Sequence, residues 1–207
     1  MKRTVAIKLR VRDHEKTRAH ILEVAFGEVY RNGFQGVSVD DIVKKTNLTK
    51  GAFYHHFPSK MDLGYALVDD VIKPMIIDRW ITPLENQKNP LNGILKQIQI
   101  HIADTPIEKW RYGCPLNNLV QEMAPVDRVF KTKLTSALNL WIDETEKHLK
   151  RAQDEGYLKK NIKTRQMAQF VVMAHEGFYG LLKGLDDPNA ADGLYSSMKN
   201  YFDELRA

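Results

Sequence analysis

The sequence predicts an all-α protein in which a small N-terminal domain of three helices precedes a larger helical body. Apolar residues recur at the 3.6-residue spacing of helices along most of the chain, for example in the stripe at residues 21–30. Capping residues precede these segments, and glycine, asparagine or proline follows them. We place a basic arm at residues 1–12, the N-terminal domain at 13–60 and the body at 61–207.

The overall composition is ordinary for a globular protein, but the charge is distributed unevenly. Hydrophobic residues make up 43% of the chain and charged residues 28%. Residues 1–63 contain 12 Lys and Arg against 7 Asp and Glu, whereas the rest of the chain contains 19 of each. An excess of positive charge in the first third favours an anionic partner such as DNA. The alternative is a basic surface without a partner.

The single cysteine, Cys114, excludes an internal disulfide framework and fits a reducing cytoplasm, where we expect the protein. No apolar run approaches the roughly 20 residues needed to span a bilayer. The N-terminus carries charges but lacks the apolar segment of a signal peptide.

The first 12 residues contain five basic and no acidic side chains. Their apolar residues alternate at 5–11 with a strand-like period, so we expect a mobile arm. It either follows a DNA groove or has no role. Asp13 is the expected cap of the first helix, and Asn32-Gly33 ends that helix.

Two short helices follow, separated by a tight turn. Ser38 and Asp41 form a near capping box at the start of the first. Asn47 lies in the turn and is expected to adopt a positive φ, which asparagine tolerates well. Thr49 caps the second helix, and Pro58 stops it.

The second of these short helices has two different faces. Leu48, Ala52, Phe53 and Phe57 are expected to point inward, which is the usual position of aromatic residues on a short helix. The outward residues are Lys50, Gly51, Tyr54, His55 and His56. Lysine reaches base edges or phosphates, glycine lets the backbone come close, and tyrosine and histidine donate to phosphate oxygens. The pair of helices is therefore predicted to be a DNA-binding helix-turn-helix.

Residues 17–63, and above all the segment LTKGAFYHHFPSK, resemble the TetR family of bacterial transcriptional repressors. The resemblance implies a helical homodimer with an N-terminal DNA-binding domain and a C-terminal ligand-binding and dimerisation domain. It implies base and phosphate contacts by Lys50, Gly51, Tyr54, His55, His56 and Lys60, with the helix starts at Ser38, Val39 and Thr49 also holding phosphate. The family's usual Ala-Gly turn reads Thr46-Asn47 here.

The body is predicted to consist of longer helices. We expect helices at 59–80 with a bend at Lys73-Pro74, at 90–104, 115–123, 125–155, 165–183 and 190–205, and a loop at 82–93. The helix at 165–183 is apolar nearly all round and contains Gly177, Gly180 and Gly184. With the last helix it suits a four-helix bundle formed with a second copy. The alternative is that these two helices belong to the core of a monomer.

No motif in the chain predicts catalysis, a metal or a cofactor. The sequence lacks a phosphate-binding glycine loop, an HExxH motif and a cysteine pair for zinc. An enzyme using Cys114 as nucleophile, with His101 or His175 as base, remains an alternative class. A DNA-binding or scaffold protein without regulatory function is another.

A ligand pocket in the body is the favoured hypothesis. The candidate lining residues are Trp110, Tyr112, Cys114, Asn117, Trp141, His175, Glu176, Phe178 and Tyr179, each of which could instead fill the core or the dimer contact. GCPLNNL resembles the C-terminal domain of one subgroup of the family. We therefore expect a repressor that a small molecule releases from a near-palindromic operator, or alternatively one that senses oxidants or electrophiles through Cys114.

Overall fold

The computed structural model describes residues 2–185, 187 and 190–207; the side chains of residues 2–12 and of residue 194 are outside the description. The all-α prediction is confirmed. The α-helices are α1 (Lys2–Asn32), α2 (Val39–Thr46), α3 (Lys50–His56), α4 (Lys60–Leu67), α5 (Lys73–Ile76), α6 (Thr82–Glu85), α7 (Pro90–Asp104), α8 (Ile107–Trp110), α9 (Pro115–Met123), α10 (Arg128–Asp154), α11 (Thr164–Leu185) and α12 (Ala190–Glu204). Two π-helical segments, π1 (Val68–Ile72) and π2 (Ile77–Ile81), lie between α4 and α6.

The first helix begins earlier than predicted. It runs from Lys2, so the expected start at Asp13 and the strand-like arm are wrong. The segment 1–12 contains no proline or glycine, and extending an existing helix costs far less than starting one. The end of the helix agrees with the prediction, because Gly33 follows it with φ +78°.

The helix-turn-helix forms as its local signals predict. Ser38 and Asp41 make a complete capping box at the start of α2. Asn47 has φ 56°, so it takes the left-handed position expected for this turn. Thr49 caps α3 through a hydrogen bond that Ala52 N donates to its Oγ1.

One helical rod crosses from the N-terminal domain into the body. The segments α4, π1, α5, π2 and α6 follow one another from Lys60 to Glu85, so the loop predicted at 82–93 is wrong at its start. The next helix, α7, begins at Pro90 after the cap Asn89, as predicted for the helix at 90–104. Each π segment stops beside a proline. Lys73 N donates to Val68 O and Thr82 N donates to Ile77 O, directly before Pro74 and Pro83. Because proline has no N–H, a wider turn at these points keeps the chain helical instead of ending the helix.

The core is continuous between the N-terminal domain and the near half of the body. Ile21, Phe53, Leu63 and Phe130 belong to one buried cluster. The rod passes close to it at Gly64, where an added Cβ would lie 2.5 Å from the Phe130 ring. A second cluster fills the far end of the body between α7, α10, α11 and α12. No helix of the described residues is long and apolar enough to cross a membrane.

Candidate nucleic-acid interface and body cavity

The short helix α3 exposes the face that the sequence predicts. Phe53 and Phe57 are buried, with 1% and 2% of their surface exposed, whereas Tyr54 is 48% exposed. Lys50, Gly51 and His55 are also exposed. The inner aromatic rings therefore hold α3 against the core while the cation, the glycine and the polar rings face solvent.

Lys50 is paired with an acidic side chain of α2. Its Nζ lies 2.7 Å from Asp40 Oδ1, and this hydrogen bond raises the pKa of the lysine. Both side chains are more than 60% exposed, so the pair is weak. A phosphate or base acceptor would have to replace the Asp40 carboxylate.

Ser38 and Thr49 are exposed, whereas three other residues predicted to contact DNA are partly buried: Val39, His56 and Lys60. His56 lies with its ring 4.2 Å from that of His14, and burial and His14 lower its pKa. Lys60 Nζ lies 4.8 Å from the centre of the Phe34 ring, and burial lowers its pKa. Contact of these residues with DNA stays a prediction.

The body contains a cavity of about 300 Å³ beneath the N-terminal domain. Five of the predicted pocket residues line it: Tyr112, Cys114, Trp141, His175 and Tyr179. Phe178 instead lines a smaller adjoining cavity of about 60 Å³, together with His175 and Tyr179. The cavity therefore combines residues from the turn before α9, from α10 and from α11.

Trp110, Asn117 and Glu176 do not line either of these cavities, which corrects the prediction for them. Trp110 packs against the core from α8. Asn117 Nδ2 donates to Glu176 O at 3.3 Å, so its amide joins α9 to α11. Glu176 points toward the Cys114 thiol, behind the cavity wall.

Sequence reasoning missed most of the opposite wall. It is formed by Phe26 and Tyr30 of α1, by Ile72, Met75, Ile76, Arg79 and Trp80 of the rod, and by His101, Asp104, Thr105, Pro106 and Lys109 of the α7–α8 region. Trp80 stacks on Trp141, with ring centres 5.3 Å apart. The only signal for this wall was an amphipathic pattern that also fits an ordinary core, since nothing local distinguishes a cavity from a packed interior.

The cavity disfavours charge on several of its titratable groups. Burial lowers the pKa of His101 to about 3, with smaller effects from His175 and Arg79. Burial also raises the pKa of Tyr30 to about 12. At neutral pH the imidazole and the phenol are therefore uncharged.

Cys114 is buried against an acidic side chain. Its Sγ donates to Glu176 Oε1 at 3.3 Å. Burial, followed by the nearby Glu176 charge, raises the pKa of the thiol well above its usual value. The free side chain therefore stays a thiol, which does not favour the alternative in which Cys114 is a reactive thiolate.

Specific hydrogen bonds connect the cavity region to the N-terminal domain. Tyr30 Oη donates to Gly113 O at 2.7 Å, directly beside the cavity. The Glu122 carboxylate of α9 accepts from Phe34 N at 2.8 Å and from Gln35 N at 2.7 Å, in the turn before α2. A displacement of α1 or α9 would therefore be transmitted to the helix-turn-helix through these hydrogen bonds.

The last two helices carry exposed apolar side chains. Met173, Leu181 and Leu185 of α11 and Tyr201 of α12 are all more than 40% exposed. Gly177, Gly180 and Gly184 of α11 have open space where a Cβ would stand. This surface has the composition expected where two copies of a helical protein pack together.

Comparison with known proteins agrees with both halves of this architecture. The model of the bacterial regulatory proteins of the tetR family matches residues 21–66, and that of the tetracyclin repressor-like C-terminal domain matches residues 94–198. An uncharacterized HTH-type transcriptional regulator in the lacX 3' region of Lactococcus lactis subsp. lactis is 28% identical over 196 residues, covering 91% of this chain and 94% of that protein.

Two further relatives are similar over most of their length. The HTH-type transcriptional repressor DhaR of Mycobacterium sp. (strain GP1) is 22% identical over 167 residues, covering 77% of this chain and 79% of that protein. The crystal structure of a TetR transcriptional regulator from Chloroflexus aurantiacus J-10-FL superposes with a TM-score of 0.82 at 19% identity, covering 94% of this chain and 98% of that one. The chain therefore belongs to the tetR family and is a transcriptional regulator with a DNA-binding helix-turn-helix.

Proposed function

We propose that this protein is a homodimeric repressor that a small molecule, bound in the body cavity, releases from a near-palindromic operator. One observation carries the proposal: a single helix, α1, takes part in both sites. Its residues Phe26 and Tyr30 line the cavity, whereas Ile21 and Leu22 are buried in the core that also contains Phe53 of α3. A ligand that moves this helix would change the position of the DNA-binding face.

On DNA, α3 enters the major groove with Lys50 and Tyr54 toward the bases and phosphates. Two copies related by a two-fold axis read two half-sites, whose centres lie about 34–36 Å apart in helix-turn-helix proteins. The apolar surface of α11 and α12 supports the pairing of the body domains. The name of the mycobacterial relative, a transcriptional repressor, supports repression rather than activation.

The cavity favours a small, largely apolar ligand with an aromatic part. Its walls carry Trp80, Trp141 and Tyr112, and such rings stack well on a planar molecule. The ligand acts by favouring one of two arrangements of α1 and α9 relative to the body. Only the differential affinity of the ligand for these arrangements shifts the equilibrium.

The proposal is tested with the double variant Lys50→Ala/Tyr54→Phe. Operator fragments are first selected from random DNA with the wild-type dimer, and their affinity is then measured by fluorescence anisotropy at fixed salt. We expect a loss on the order of 100-fold, because one cation and one phenol leave the interface. Lys96→Ala, which removes an exposed lysine of the body, is the matched control and should bind as the wild type does.

Helix content and dimer mass are checked for each variant. An unchanged operator affinity in the folded double variant would refute the DNA-binding assignment. For the ligand, compounds that raise the melting temperature of the free dimer are added to the same assay. Compounds that stabilise the free protein but leave operator affinity unchanged would refute the release mechanism.

A further inference from the structure

Three side chains beside the cavity are arranged around a common point. Cys114 precedes α9, while His175 and Glu176 are neighbours on α11. One ligand atom from each, a thiol sulfur, an imidazole nitrogen and a carboxylate oxygen, lies within 4.8 Å of the other two. The cysteine and the histidine are buried, and the Glu176 side chain is only 14% exposed.

Several polar atoms of this group lack partners among the described residues. Both ring nitrogens of His175 and Glu176 Oε2 are buried without a hydrogen bond. His175 is 8% exposed. A buried imidazole whose two nitrogens make no hydrogen bond is costly, which favours a partner that the described residues do not supply.

Two of the three distances between ligand atoms are close to those of a tetrahedral metal site, and the third, between Cys114 and His175, is within 4.8 Å. Zinc binds sulfur at about 2.3 Å, nitrogen at about 2.0 Å and carboxylate oxygen at about 2.0 Å, which places sulfur and oxygen about 3.5 Å apart and nitrogen and oxygen about 3.3 Å apart. Cys114 Sγ lies 3.3 Å from Glu176 Oε1, and His175 Nδ1 lies 3.4 Å from the same oxygen. Two edges of the tetrahedron are thus already close to their required length.

The charges also suit a divalent cation. A thiolate and a carboxylate together carry two negative charges, so a divalent ion makes the buried site neutral and avoids the cost of an isolated buried charge. One sulfur, one nitrogen and one oxygen favour zinc over magnesium or calcium, which prefer oxygen ligands. Three protein ligands leave a fourth position open, as in zinc sites that accept an exogenous group.

We propose that Cys114, His175 and Glu176 bind a zinc-class divalent cation whose fourth coordination position is open to the body cavity. Cys114 and His175 both line that cavity, so an ion has access to the site and a donor atom of a bound molecule can reach the metal. No local motif marks this set, because Cys114 lies 62 residues before Glu176 in the sequence. The inference goes beyond the proposed regulatory function and does not depend on DNA binding.

The test uses the full-length protein, purified without a tag, treated with a chelator and dialysed. Cobalt(II) is titrated as an optical probe, and zinc is then added to displace it. We expect one cobalt per chain, with a sulfur-to-cobalt charge-transfer band that zinc removes. Cys114→Ser should abolish the band, and His175→Gln and Glu176→Gln should weaken binding by more than about 100-fold, because each removes a direct ligand.

His148→Gln is the matched control, since His148 is also buried with an unpaired nitrogen but lies on α10 away from the cluster. It should bind cobalt as the wild type does. Failure of the wild type to bind cobalt or zinc would overturn the proposal, as would a charge-transfer band that persists in Cys114→Ser. Helix content is measured for each variant. If Cys114→Ser does not fold, the test uses Glu176→Gln, which keeps the size of the side chain, and cobalt binding as tight as in the wild type would then overturn the proposal. Because no DNA is present, this result is separate from the operator assay.

Discussion

The N-terminal domain and the body expose their polar chemistry in opposite ways. The cation and the phenol of α3 lie on the surface, where Lys50 is paired with the exposed Asp40. In the body, the imidazole nitrogens of His175 and the Oε2 atom of Glu176 are buried without hydrogen bonds among the described residues. An exposed basic face suits a large polyanion, whereas a partly unsatisfied interior suits a small molecule or an ion.

The two regions also differ in how far apart their cooperating residues are. Ser38 and Asp41, or Thr49 and Ala52, are three positions apart. By contrast, Tyr30 meets Gly113 across 83 residues, and Trp80 stacks on Trp141. The first kind of contact depends on local conformation, and the second depends on the packing of several helices. Substitutions can test this difference directly.

The largest effect is expected for Phe53→Ala, which tests whether the short helix α3 depends on the core as the body does. Phe53 is 1% exposed, and truncating a buried phenylalanine costs about 3–5 kcal/mol. The free energy of unfolding is measured by urea denaturation. His55→Ala, at an exposed position of the same helix, should change it by no more than about 0.5 kcal/mol. Equal effects of the two variants would contradict the assignment of inner and outer faces.

A smaller effect is expected for Glu122→Gln, which tests the connection between the regions. One carboxylate oxygen accepts from Phe34 N and the other from Gln35 N. An amide has only one oxygen, so its NH2 group would face one of these two N–H donors and that bond would be lost. We expect a loss of about 1–3 kcal/mol in unfolding free energy. The effect of a cavity ligand on operator affinity should also shrink.

The matched control for this connection is Gln121→Ala, at the exposed neighbouring position on α9. It should leave both stability and ligand response unchanged. If Glu122→Gln keeps the full ligand response, the signal reaches the N-terminal domain by another path, such as α1 alone.

The next effect concerns pH and the interior of the body. The pKa of His101 is about 3 in the folded state against an ordinary 6.5, so below about pH 6.5 the unfolded chain takes up a proton that the folded chain does not. The contribution of neutral His101 to the free energy of unfolding is therefore complete above about pH 6.5 and is lost progressively as the pH falls toward 3. His101→Gln should remove about 1–2 kcal/mol of the loss between about pH 7 and pH 5.

Urea denaturation at the two pH values measures this difference. His20→Gln, at an exposed position on α1, is the control and should leave the pH dependence close to that of the wild type. If the unfolding free energy changed with pH equally in His101→Gln and in the wild type, His101 would not be kept neutral by burial in the cavity wall.

The smallest effect is expected for Asp40→Asn, which tests whether Asp40 competes with DNA for Lys50 on the exposed face. Removing the carboxylate that pairs with Lys50 frees the lysine for phosphate and lowers repulsion from DNA. We expect operator affinity to rise by roughly two- to fivefold at low salt, since exposed ion pairs are weak. Glu23→Gln removes the same charge from an exposed position on α1 and should change affinity less. A fall in affinity would mean that Asp40 itself helps to position Lys50.

The N-terminal domain was predictable from sequence because its signals act over a few residues. The caps of α2 and α3, the left-handed Asn47, the buried Phe53 and Phe57 and the exposed Lys50 and Tyr54 agree with the structure, whereas the cap expected at Asp13 does not and His56 is partly buried. The errors occurred where local signals were ambiguous. A bend was expected at Pro74 and a loop from residue 82, but π-helical turns accommodate Pro74 and Pro83 within one rod.

The cavity could be predicted only in part. Five of the nine candidate residues line it, because the resemblance to the TetR family indicates this part of the body as the ligand-binding region. Trp80 and His101, on the opposite wall, have the same helical spacing as core residues. Whether such residues enclose a space or fill one depends on how the rod, α1 and α7 pack together.

By itself, the sequence determined the helical fold class, the caps of α2 and α3 and the exposed basic face of α3, since these follow from conformational preference and helical periodicity. Only the tertiary structure decided that Glu122 binds the turn before α2, that a cavity opens beneath α1, and that Cys114, His175 and Glu176 meet. These features require contacts between residues far apart in the chain. Their geometry is set by the packing of whole helices and has no local signature.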